Sequence, residues 1–281
     1  MSDRAPHAGP PMVDDNIAVF RDAKVVRSFV GTEGWLDDGE RMALLSVAAQ
    51  VRSRPILDIG VGLGRTSSLL RLLSDSYVGI DASPEMVALC TRLHPGFDVR
   101  LGDARDLGMF PDGSFDLVFF SNYGVDALDA SGRRSFLDEA NRVLRDGGLL
   151  IHNTLNKAGR LYGETPWQLH APGRPPDLSA RRIAGWCWHN LKDPMRGPRR
   201  YRNWFANRRY ASDHGGWATC PFSAHDCSLV VHFVTLGQLR CELDGTGFDI
   251  VTILACPTGE VIDEGATHSD AGGFYAVGRK R

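Results

Sequence analysis

Short apolar runs alternate with longer segments of helical periodicity along the first half of the chain. The runs occupy residues 56–59, 77–80, 97–101, 115–121 and 147–151. Continuous apolar runs are typical of strands that are buried on both faces of a parallel sheet. Because these runs alternate with helical segments such as residues 65–73 and 133–144, the pattern predicts a doubly wound α/β sheet.

Three glycines follow the first run at alternate positions, Gly60, Gly62 and Gly64. Glycine permits a sharp turn and a close approach of the backbone to a ligand, because it has no Cβ. A strand, a glycine turn and a helix together open a nucleotide-binding βαβ unit. About twenty residues later, Asp81 ends the second predicted strand, where a carboxylate can accept both hydroxyls of a ribose. The spacing GxGxG, unlike GxGxxG, argues against a nicotinamide cofactor.

Five motifs in order carry a resemblance to one family of enzymes. They are LDIGVGLGRTS, GIDASPEMV, GDARDL, FPDGSFDLVFFSN and VLRDGGLLI, all within residues 35–153. On these motifs the chain resembles the class I S-adenosylmethionine-dependent methyltransferases, and the resemblance returns from residue 236 to the end. The resemblance implies methyl transfer from S-adenosylmethionine, with S-adenosylhomocysteine as the product.

The resemblance also implies ten cofactor-binding residues at or beside the carboxyl ends of predicted strands. They are Asp58, Gly60, Gly62, Gly64, Asp81, Ala82, Asp103, Ala104, Ser121 and Asn122. In the family, the glycine turn hosts the methionine part of the cofactor, the acid after strand two holds the ribose, and the acid after strand three faces the adenine. The two aspartates after strands two and three are also compatible with ordinary turn chemistry, and Asp58 with orienting the glycine loop.

By the same resemblance, the fold is a Rossmann-like sheet of seven mostly parallel strands, the last antiparallel. Thr235 is expected to cap a helix before strand six at residues 248–254, and strand seven is expected at 274–277. Residues 156–227 are predicted to form an inserted cap over the substrate side of the sheet. The methyltransferase domain itself is assigned to residues 16–155 and 228–281.

The chain before the first strand is predicted to begin with a flexible tail, residues 1–15, which has no apolar signal core. Helices are predicted over residues 16–30 and 37–51. In the family, residues in this region can fold over the cofactor. Trp35 is therefore a candidate for such a lid, with an anchor in the core as the alternative.

The predicted cap is rich in tryptophan and arginine. It contains five of the six tryptophans, Trp167, Trp186, Trp188, Trp204 and Trp217. Residues 157–217 hold twelve Lys and Arg against four Asp and Glu, in a chain whose net charge is −2. Three interpretations remain open: an aromatic lid with arginines for a small acidic substrate, a surface for nucleic acid or anionic membrane, or a supporting cap with its own small core. The second rests on residues 198–210, PRRYRNWFANRRY, where basic and aromatic residues alternate.

Methyl transfer from a sulfonium is an in-line displacement, so positioning and exclusion of water matter more than a protein nucleophile. A hydroxyl or ammonium acceptor still requires a base. The candidate catalytic residues are His152, His225 with its neighbour Asp226, and Tyr123 with Asn153 as positioning groups. Each histidine is also compatible with an ordinary structural role.

Several subclasses lack support in these motifs. The residues after strand four, SNYG, differ from the Asn-Pro-Pro-Tyr loop used on nucleobase amines. Neither a paired-glutamate loop of the protein arginine type nor an acidic set for magnesium after strand five is found. We therefore expect the acceptor to be a small metabolite or a glycan or lipid intermediate, methylated on oxygen or nitrogen. The alternatives are a nucleic-acid methyltransferase that uses the basic insert, and a non-catalytic cofactor-binding protein.

The composition predicts the class of protein and its cellular compartment. A hydrophobic fraction of 43% in 281 residues fits a soluble enzyme of one or two domains, and no apolar run reaches the roughly eighteen residues of a membrane span. Six cysteines without a CxxC pair predict free thiols in a reducing cytoplasm and no metal. A zinc site that includes Cys220 and Cys227 is the alternative. The oligomeric state is left open.

Overall fold

The structure is a computed structural model, and it describes residues 11–166 and 193–281. Its helices are α1 (Pro11–Arg21), α2 (Ala23–Ser28), α3 (Asp38–Val51), α4 (Ser67–Leu73), α5 (Pro84–Leu93), α6 (Ala130–Val143), α7 (Arg196–Asn207) and α8 (Leu236–Gly245), with 3₁₀ turns at Gly124–Ala127 and Arg208–Tyr210. Its strands are β1 (Ile56–Ile59), β2 (Tyr77–Asp81), β3 (Val99–Leu101), β4 (Phe115–Phe120), β5 (Leu144–Asn156), β6 (Ser212–Asp213), β7 (Trp217–Phe222), β8 (Leu229–Val234), β9 (Phe248–Cys256) and β10 (Gly273–Lys280). Three of the cap tryptophans, Trp167, Trp186 and Trp188, lie outside the described residues.

The central sheet confirms the doubly wound architecture. Its strands follow the order β3-β2-β1-β4-β5, all parallel. Beyond β5, strand β10 lies antiparallel between β5 and β9. The predicted antiparallel last strand is therefore present, and reversal of the strand order beside β1 places a crevice at the carboxyl ends of β1 and β4.

The described part of the sheet has ten strands, where seven were expected. The difference arises at β5, which runs on past β4 because Leu155 and Asn156 pair in parallel with Phe233 and Val234 of β8. Strands β7 and β6 then extend this edge as an antiparallel meander. All six residues of β8 are buried. This strand therefore joins the core sheet, through β5, to the strands of the insert, through β7.

Alternate residues of β1 face two different helical layers. Leu57 and Ile59 pack in the cluster that includes α6 and α8, whereas Ile56 packs with α3 and α4. Neighbouring side chains of a strand point to opposite faces. Asp58 consequently lies on the α3 and α4 face, where its carboxylate meets Tyr77.

Helix α1 begins at Pro11, inside the segment predicted to be a flexible tail. Val13 is only 1% exposed, and the Asn16 side-chain amide donates to the carbonyl oxygens of Ala127 at 2.8 Å and Val230 at 2.7 Å. Apolar burial and a doubly bonded amide hold this segment in place. The tail prediction is therefore wrong for residues 11–15, and α1 connects the core to β8.

The helix predicted over residues 16–30 is broken at Asp22. The Asp22 carboxylate accepts the backbone N–H groups of Lys24 and Val25 and so caps the start of α2. Trp35, expected in a lid or in the core, is 58% exposed, and its ring lies 5.7 Å from the Arg65 guanidinium. It is not a core anchor.

The remaining predicted elements are present with shifted ends. Helix α6 starts at Ala130, because the Asp129 side chain caps it by accepting the N–H of Gly132. The cap predicted at Thr235 is confirmed, since its hydroxyl accepts the N–H of Gln238. Within the two described ranges, no helix has both the length and the apolar character needed to cross a bilayer.

Candidate active site

A cavity opens at the carboxyl ends of β1, β2 and β4, beneath α1. Eight of the ten residues expected to bind cofactor line it: Gly60, Gly62, Asp81, Ala82, Asp103, Ala104, Ser121 and Asn122. A smaller cavity adjoins it and shares the glycine turn and Ser121-Asn122. Asp58 lines only this second cavity. Of the ten residues predicted to bind cofactor, all except Gly64 therefore line one of the two cavities at the topological switch point.

The roof of the larger cavity was missed by the sequence analysis. Val13, Ile17 and Phe20 of α1 line it, together with Phe29 after α2. The first three stand at i, i+4 and i+7, which places them on one helix face. That spacing was the available signal, but its first member, Val13, fell in the segment assigned to a tail.

Asp81 ends β2 with both carboxylate oxygens fixed by the backbone. Oδ2 accepts the N–H of Gly62 at 2.9 Å, and Oδ1 accepts the N–H of Ser83 at 2.8 Å. Burial raises the pKa of Asp81, and these two donors oppose that shift. A carboxylate has about four acceptor positions, so Asp81 retains the capacity to accept the two hydroxyls of a ribose.

The glycine turn forms a cradle that a larger residue would fill. Gly60 has φ +67°, and a Cβ there would lie 2.9 Å from the Phe120 ring. Gly62 has φ +55° and faces open space. Gly64 does not line either cavity, and a Cβ on it would lie 2.6 Å from the His94 ring, so this glycine permits close packing against His94.

Asp103 reaches the cavity while it is held by its neighbour Arg105. The Arg105 guanidinium donates to Oδ2 at 2.6 Å through Nη2, and the backbone N–H of Arg105 donates to Oδ1 at 2.9 Å. Gly102 and Ala104 beside it are small and also line the cavity. The carboxylate is therefore oriented at the end of β3, and the small neighbouring residues leave space beside it.

Asp58 is buried behind the glycine turn. Its Oδ2 accepts the Tyr77 hydroxyl at 2.8 Å and the Ser67 hydroxyl at 3.3 Å. Burial raises the pKa of Asp58 to about 7, against the effect of these hydrogen bonds. Since Ser67 opens α4, Asp58 ties the strand to the helix that follows the glycine turn.

A buried ion pair supports Ser121 and was not expected from the sequence. Glu40 of α3 is 1% exposed and binds Arg65 through two contacts of 2.6 and 2.7 Å. Ser121 donates its hydroxyl to Glu40 and accepts from Arg65 at 3.2 Å. Glu40 is 25 residues from Arg65 and 81 residues from Ser121 in the sequence. Residue spacing does not predict contacts over such separations.

Comparison with known proteins agrees with this geometry. A family model described as a methyltransferase domain matches residues 57–152, from β1 to the middle of β5. Residues 57–152 thus match a methyltransferase domain, and this part of the chain is similar to the class I S-adenosylmethionine-dependent methyltransferases.

This chain is similar to several curated bacterial methyltransferases. It is 34% identical over 140 residues to phthiotriol/phenolphthiotriol dimycocerosates methyltransferase 1 of Mycobacterium ulcerans, covering 48% of this chain and 49% of that protein. It is 28% identical over 167 residues to demethylmenaquinone methyltransferase of Renibacterium salmoninarum, covering 58% of this chain and 67% of that protein. The chain thus spans about half the length of the first curated relatives it matches.

A solved structure shares the fold over nearly the whole chain. The 1,6-didemethyltoxoflavin-N1-methyltransferase of Burkholderia thailandensis, with bound 1,6-didemethyltoxoflavin and S-adenosylhomocysteine, covers 98% of this chain with a TM-score of 0.55 and 14% identity. S-adenosylmethionine also fits the residues of this chain. The glycine cradle, the spare acceptor positions of Asp81 and the space beside Asp103 lie along one cavity.

The structure does not bring His152 to this cavity. The side chain is 1% exposed between β5 and α6, where its ring lies 6.2 Å from the Phe136 ring. Burial and the nearby Arg133 lower its pKa to about 3. His152 is therefore neutral and enclosed, a position from which it cannot take a proton from an acceptor in the cavity.

Tyr123 and Asn153 shape the loop after β4 from behind. The Tyr123 hydroxyl contacts the Cys256 sulfur at 2.8 Å. Burial raises the pKa of Tyr123. The Asn153 Oδ1 accepts the backbone N–H of Tyr123 at 2.8 Å. Asn122 and Tyr123 both have positive φ, 55° and 60°, so this hydrogen bond supports a strained turn that presents Asn122 to the cavity.

The Asp226 carboxylate does not act as the partner of a His225 base. Both residues have positive φ in the turn Ala224–Cys227. The Asp226 carboxylate binds Arg199 at 2.6 Å, away from the cavity. His225 instead packs its ring against Phe20 and Phe29 at 6.0 and 5.7 Å, and burial lowers its pKa. It stands behind the aromatic roof as a neutral ring.

Replacement of Asp58 by Asn will flatten the dependence of stability on pH. A raised pKa means that the folded state binds a proton that the unfolded state releases, so the stabilising contribution is complete below about pH 4 and is lost as pH rises through about 7. Relative to wild type, D58N should gain on the order of 3 kcal/mol of unfolding free energy between pH 4 and 8. Urea denaturation across this range measures the difference.

The matched control for this experiment is Asp75→Asn. The Asp75 side chain is fully exposed, and its variant should follow the wild-type profile within about 0.5 kcal/mol at every pH. If D58N also runs parallel to wild type, Asp58 is ionised in the folded protein throughout the range, and the proposed burial penalty is absent.

Proposed function

We propose that this methyltransferase transfers a methyl group from S-adenosylmethionine to an oxygen or nitrogen of an uncharged, apolar acceptor of the lipid or quinone type. The observation that carries the proposal is the lining of the larger cavity. Asp81 and Asp103 supply its charged side chains, and no Lys or Arg among the described residues lines it. An acidic acceptor bound against these residues would be desolvated without a counter-ion among them, so the described lining favours an uncharged acceptor.

The aromatic roof supports the same class of acceptor. Phe20 and Phe29 lie 6.4 Å apart and close the side of the cavity that faces the insert. Behind them, Tyr123, Leu161, Tyr162 and Phe222 pack around the apolar core of β8. Apolar surface removed from water contributes roughly 25 cal/mol per Å², so this wall favours an aliphatic or ring-containing tail.

The names of the relatives agree with an apolar acceptor. The relatives from Mycobacterium ulcerans and Renibacterium salmoninarum are named for phthiotriol or phenolphthiotriol dimycocerosates and for demethylmenaquinone. The support for the acceptor of this chain comes from its own roof.

The residues of the chain then act by binding and orientation. S-adenosylmethionine supplies an electrophilic methyl group on a sulfonium when it is bound. Asp81 and the glycine turn fix the cofactor, the Glu40–Arg65 pair fixes Ser121, and Asn122 faces the junction of the two cavities. Phe20 and Phe29 exclude water from the approach path. In-line positioning in a dry site supplies a large rate enhancement. No histidine among the described residues lines the cavity, so the proton that a hydroxyl acceptor loses passes to solvent.

An acceptor series with one headgroup tests the proposal. The purified chain is incubated with methyl-labelled S-adenosylmethionine and three analogues: a prenylated hydroquinone, the same headgroup without its tail, and that headgroup bearing a carboxylate. We expect label in the organic phase with the prenylated compound, and kcat/KM at least about tenfold lower for the other two. A preference for the carboxylate analogue would contradict the proposal.

Phe20→Ala should separate acceptor binding from cofactor binding. Loss of this part of the roof is expected to raise KM for the prenylated acceptor about tenfold, because a buried aromatic contact contributes roughly 1–2 kcal/mol. The Kd for S-adenosylhomocysteine, measured by calorimetry, should change less than about threefold. Leu72→Ala, at a leucine 82% exposed on α4, serves as the control and should change neither constant.

A further inference from the structure

A further cavity lies between helices α6 and α8, and strands β7 and β8 contribute to its wall. Its volume is about 220 Å³, whereas a single water needs only about 10–15 Å³. None of the described residues that line it also lines either cavity of the active site. We call it the α6–α8 cavity; its lining includes Arg133, Leu137, Trp217, His232, Gln238 and Glu242.

Two buried side chains bring nitrogens without partners to the α6–α8 cavity. His232 is 0% exposed, and neither of its ring nitrogens has a hydrogen-bond partner within residues 11–166 and 193–281. The Nε of Arg133 lacks a partner in the same ranges, although the Nη groups bind Asp126 and Glu242. Buried polar groups in folded proteins are nearly always hydrogen-bonded. These nitrogens therefore point to a partner that the described chain does not supply.

The free nitrogens define the hydrogen bonds that such a partner must make. Burial and the nearby Arg133 lower the pKa of His232 to about 2, so its ring is neutral. A neutral imidazole has one donor and one acceptor nitrogen, and the Nε of an arginine is a donor. A carboxamide carries both an acceptor oxygen and donor hydrogens on one planar edge, so it can satisfy His232 and Arg133 together.

The wall beside these nitrogens is a stack of flat rings. The Trp217 ring lies 4.8 Å from the His232 ring, with 15° between the two planes. The His214 ring stacks on Trp217 at 3.9 Å. The buried Leu137 adds an apolar side chain to the lining. Aromatic groups pack on one another in offset or edge-to-face contacts, so this wall favours a planar ring over a puckered one.

The charges around the cavity favour an uncharged ligand. Arg133 is already balanced by Asp126 at 2.8 Å and Glu242 at 2.9 Å. A carboxylate ligand would lie beside the Glu242 carboxylate, and a cation would lie beside Arg133 and Arg134, which also lines the cavity. Removing an unbalanced charge from water is costly, so neither kind of ion suits this site.

We propose that the α6–α8 cavity binds an uncharged planar ring that carries a carboxamide-type edge, with the edge at His232 and Arg133 and the ring beside Trp217. The site is distinct from the active site but connected to it. Arg133 also binds Asp126 in the turn Gly124–Ala127, and both ends of this turn line the larger active-site cavity. The proposal does not rest on the proposed function, because binding here needs neither methyl donor nor acceptor.

Titration of the full chain with benzamide tests the site. Saturating S-adenosylhomocysteine is present, so that the cofactor region of the active site is occupied. We expect saturable binding of benzamide with a Kd on the order of 1 mM, as suits a probe of this size. Cyclohexanecarboxamide, which lacks the planar ring, and benzoate, which lacks the neutral edge, should each bind at least about fivefold more weakly.

His232→Phe tests the hydrogen-bonding part of the proposal. It keeps a planar ring and removes both nitrogens, so the affinity for benzamide should fall at least about tenfold. His152→Phe is the matched control. His152 is another buried imidazole with no partner for its nitrogens in the described chain, but it does not line the α6–α8 cavity. H152F should bind benzamide as wild type does. Gln238→Leu, at a half-buried residue of the lining, should weaken binding at least about threefold.

The place of binding is read from Cys241, an exposed cysteine that lines the same cavity. Benzamide at about ten times its Kd should slow alkylation of Cys241 by iodoacetamide at least about threefold, as measured by peptide mass spectrometry. Binding without this protection would lie elsewhere and would overturn the proposal. The absence of saturable binding, or an equal affinity in wild type and H232F, overturns it as well. If H232F does not fold, an unchanged affinity in Q238L is the contradicting result. None of these outcomes bears on methyl transfer, which the acceptor series measures separately.

Discussion

Asp81→Ala is expected to lower the affinity of the chain for S-adenosylhomocysteine by about 100-fold or more. The carboxylate would accept two ribose hydroxyls, and each hydrogen bond to a charged group contributes roughly 1.5–3 kcal/mol. The same carboxylate accepts the N–H groups of Gly62 and Ser83, so its loss also frees the two loops that carry the cradle. Calorimetric titration of the purified variant measures the change.

Two further variants give this titration its controls. Asp75→Ala removes an aspartate whose side chain is fully exposed and should bind as wild type does. Asp103→Ala should lose less affinity than Asp81→Ala, because Asp103 already shares its charge with Arg105 at 2.6 Å. If Asp81→Ala is folded by circular dichroism and binds within about threefold of wild type, the ribose does not lie at the end of β2.

Arg133→Met is expected to destabilise the fold by about 3–5 kcal/mol. Arg133 is 2% exposed and binds Asp126 at 2.8 Å and Glu242 at 2.9 Å. Asp126 is fully buried, and burial raises its pKa to about 7 even beside this guanidinium. Without Arg133, a carboxylate would remain in the interior with Thr154 and the Leu155 N–H as its donors. Urea denaturation at pH 8 measures the loss.

The origin of this loss can be isolated by a second substitution. Asp126→Asn in the Arg133→Met background removes the uncompensated charge, so the double variant should recover at least about 1 kcal/mol relative to Arg133→Met. Arg134→Met is the matched control, because Arg134 pairs with Asp138 at the surface with 59% of its side chain exposed. Its effect should stay below about 1 kcal/mol. No recovery in the double variant would mean that lost packing, and not charge, explains the effect.

The sequence predicted the fold wherever the signal was local. The run Ile56–Ile59 and the capping residue Thr235 were located to the residue, since apolar continuity and cap chemistry act within a few positions. The ends of β5 were not, because its length depends on pairing with β8, some eighty residues later. The same non-local pairing changed seven expected strands into ten in the described chain.

The cofactor side of the site could also be predicted, and the acceptor side could not. Asp81 and the glycine turn belong to one continuous βαβ unit, so spacing alone brings them together. The roof combines α1 with a turn more than 200 residues later, where His225 meets Phe20. The two candidate bases, His152 and His225 with its partner Asp226, lie outside the cavity for the same reason: their burial and ion pairing are set by distant partners.

The sharing of β5 bears on how substrate range can change in this chain. Strand β8 is bonded to β5 through Leu155 and Asn156 and to α1 through Asn16, so the insert is not a detachable module. A chimera that exchanged only residues 156–227 with a relative would leave β8 facing a foreign β7. A chimera that still folds must therefore take α1 and β6–β8 from the same parent. Changes on the acceptor side of the site are then coupled to changes in α1.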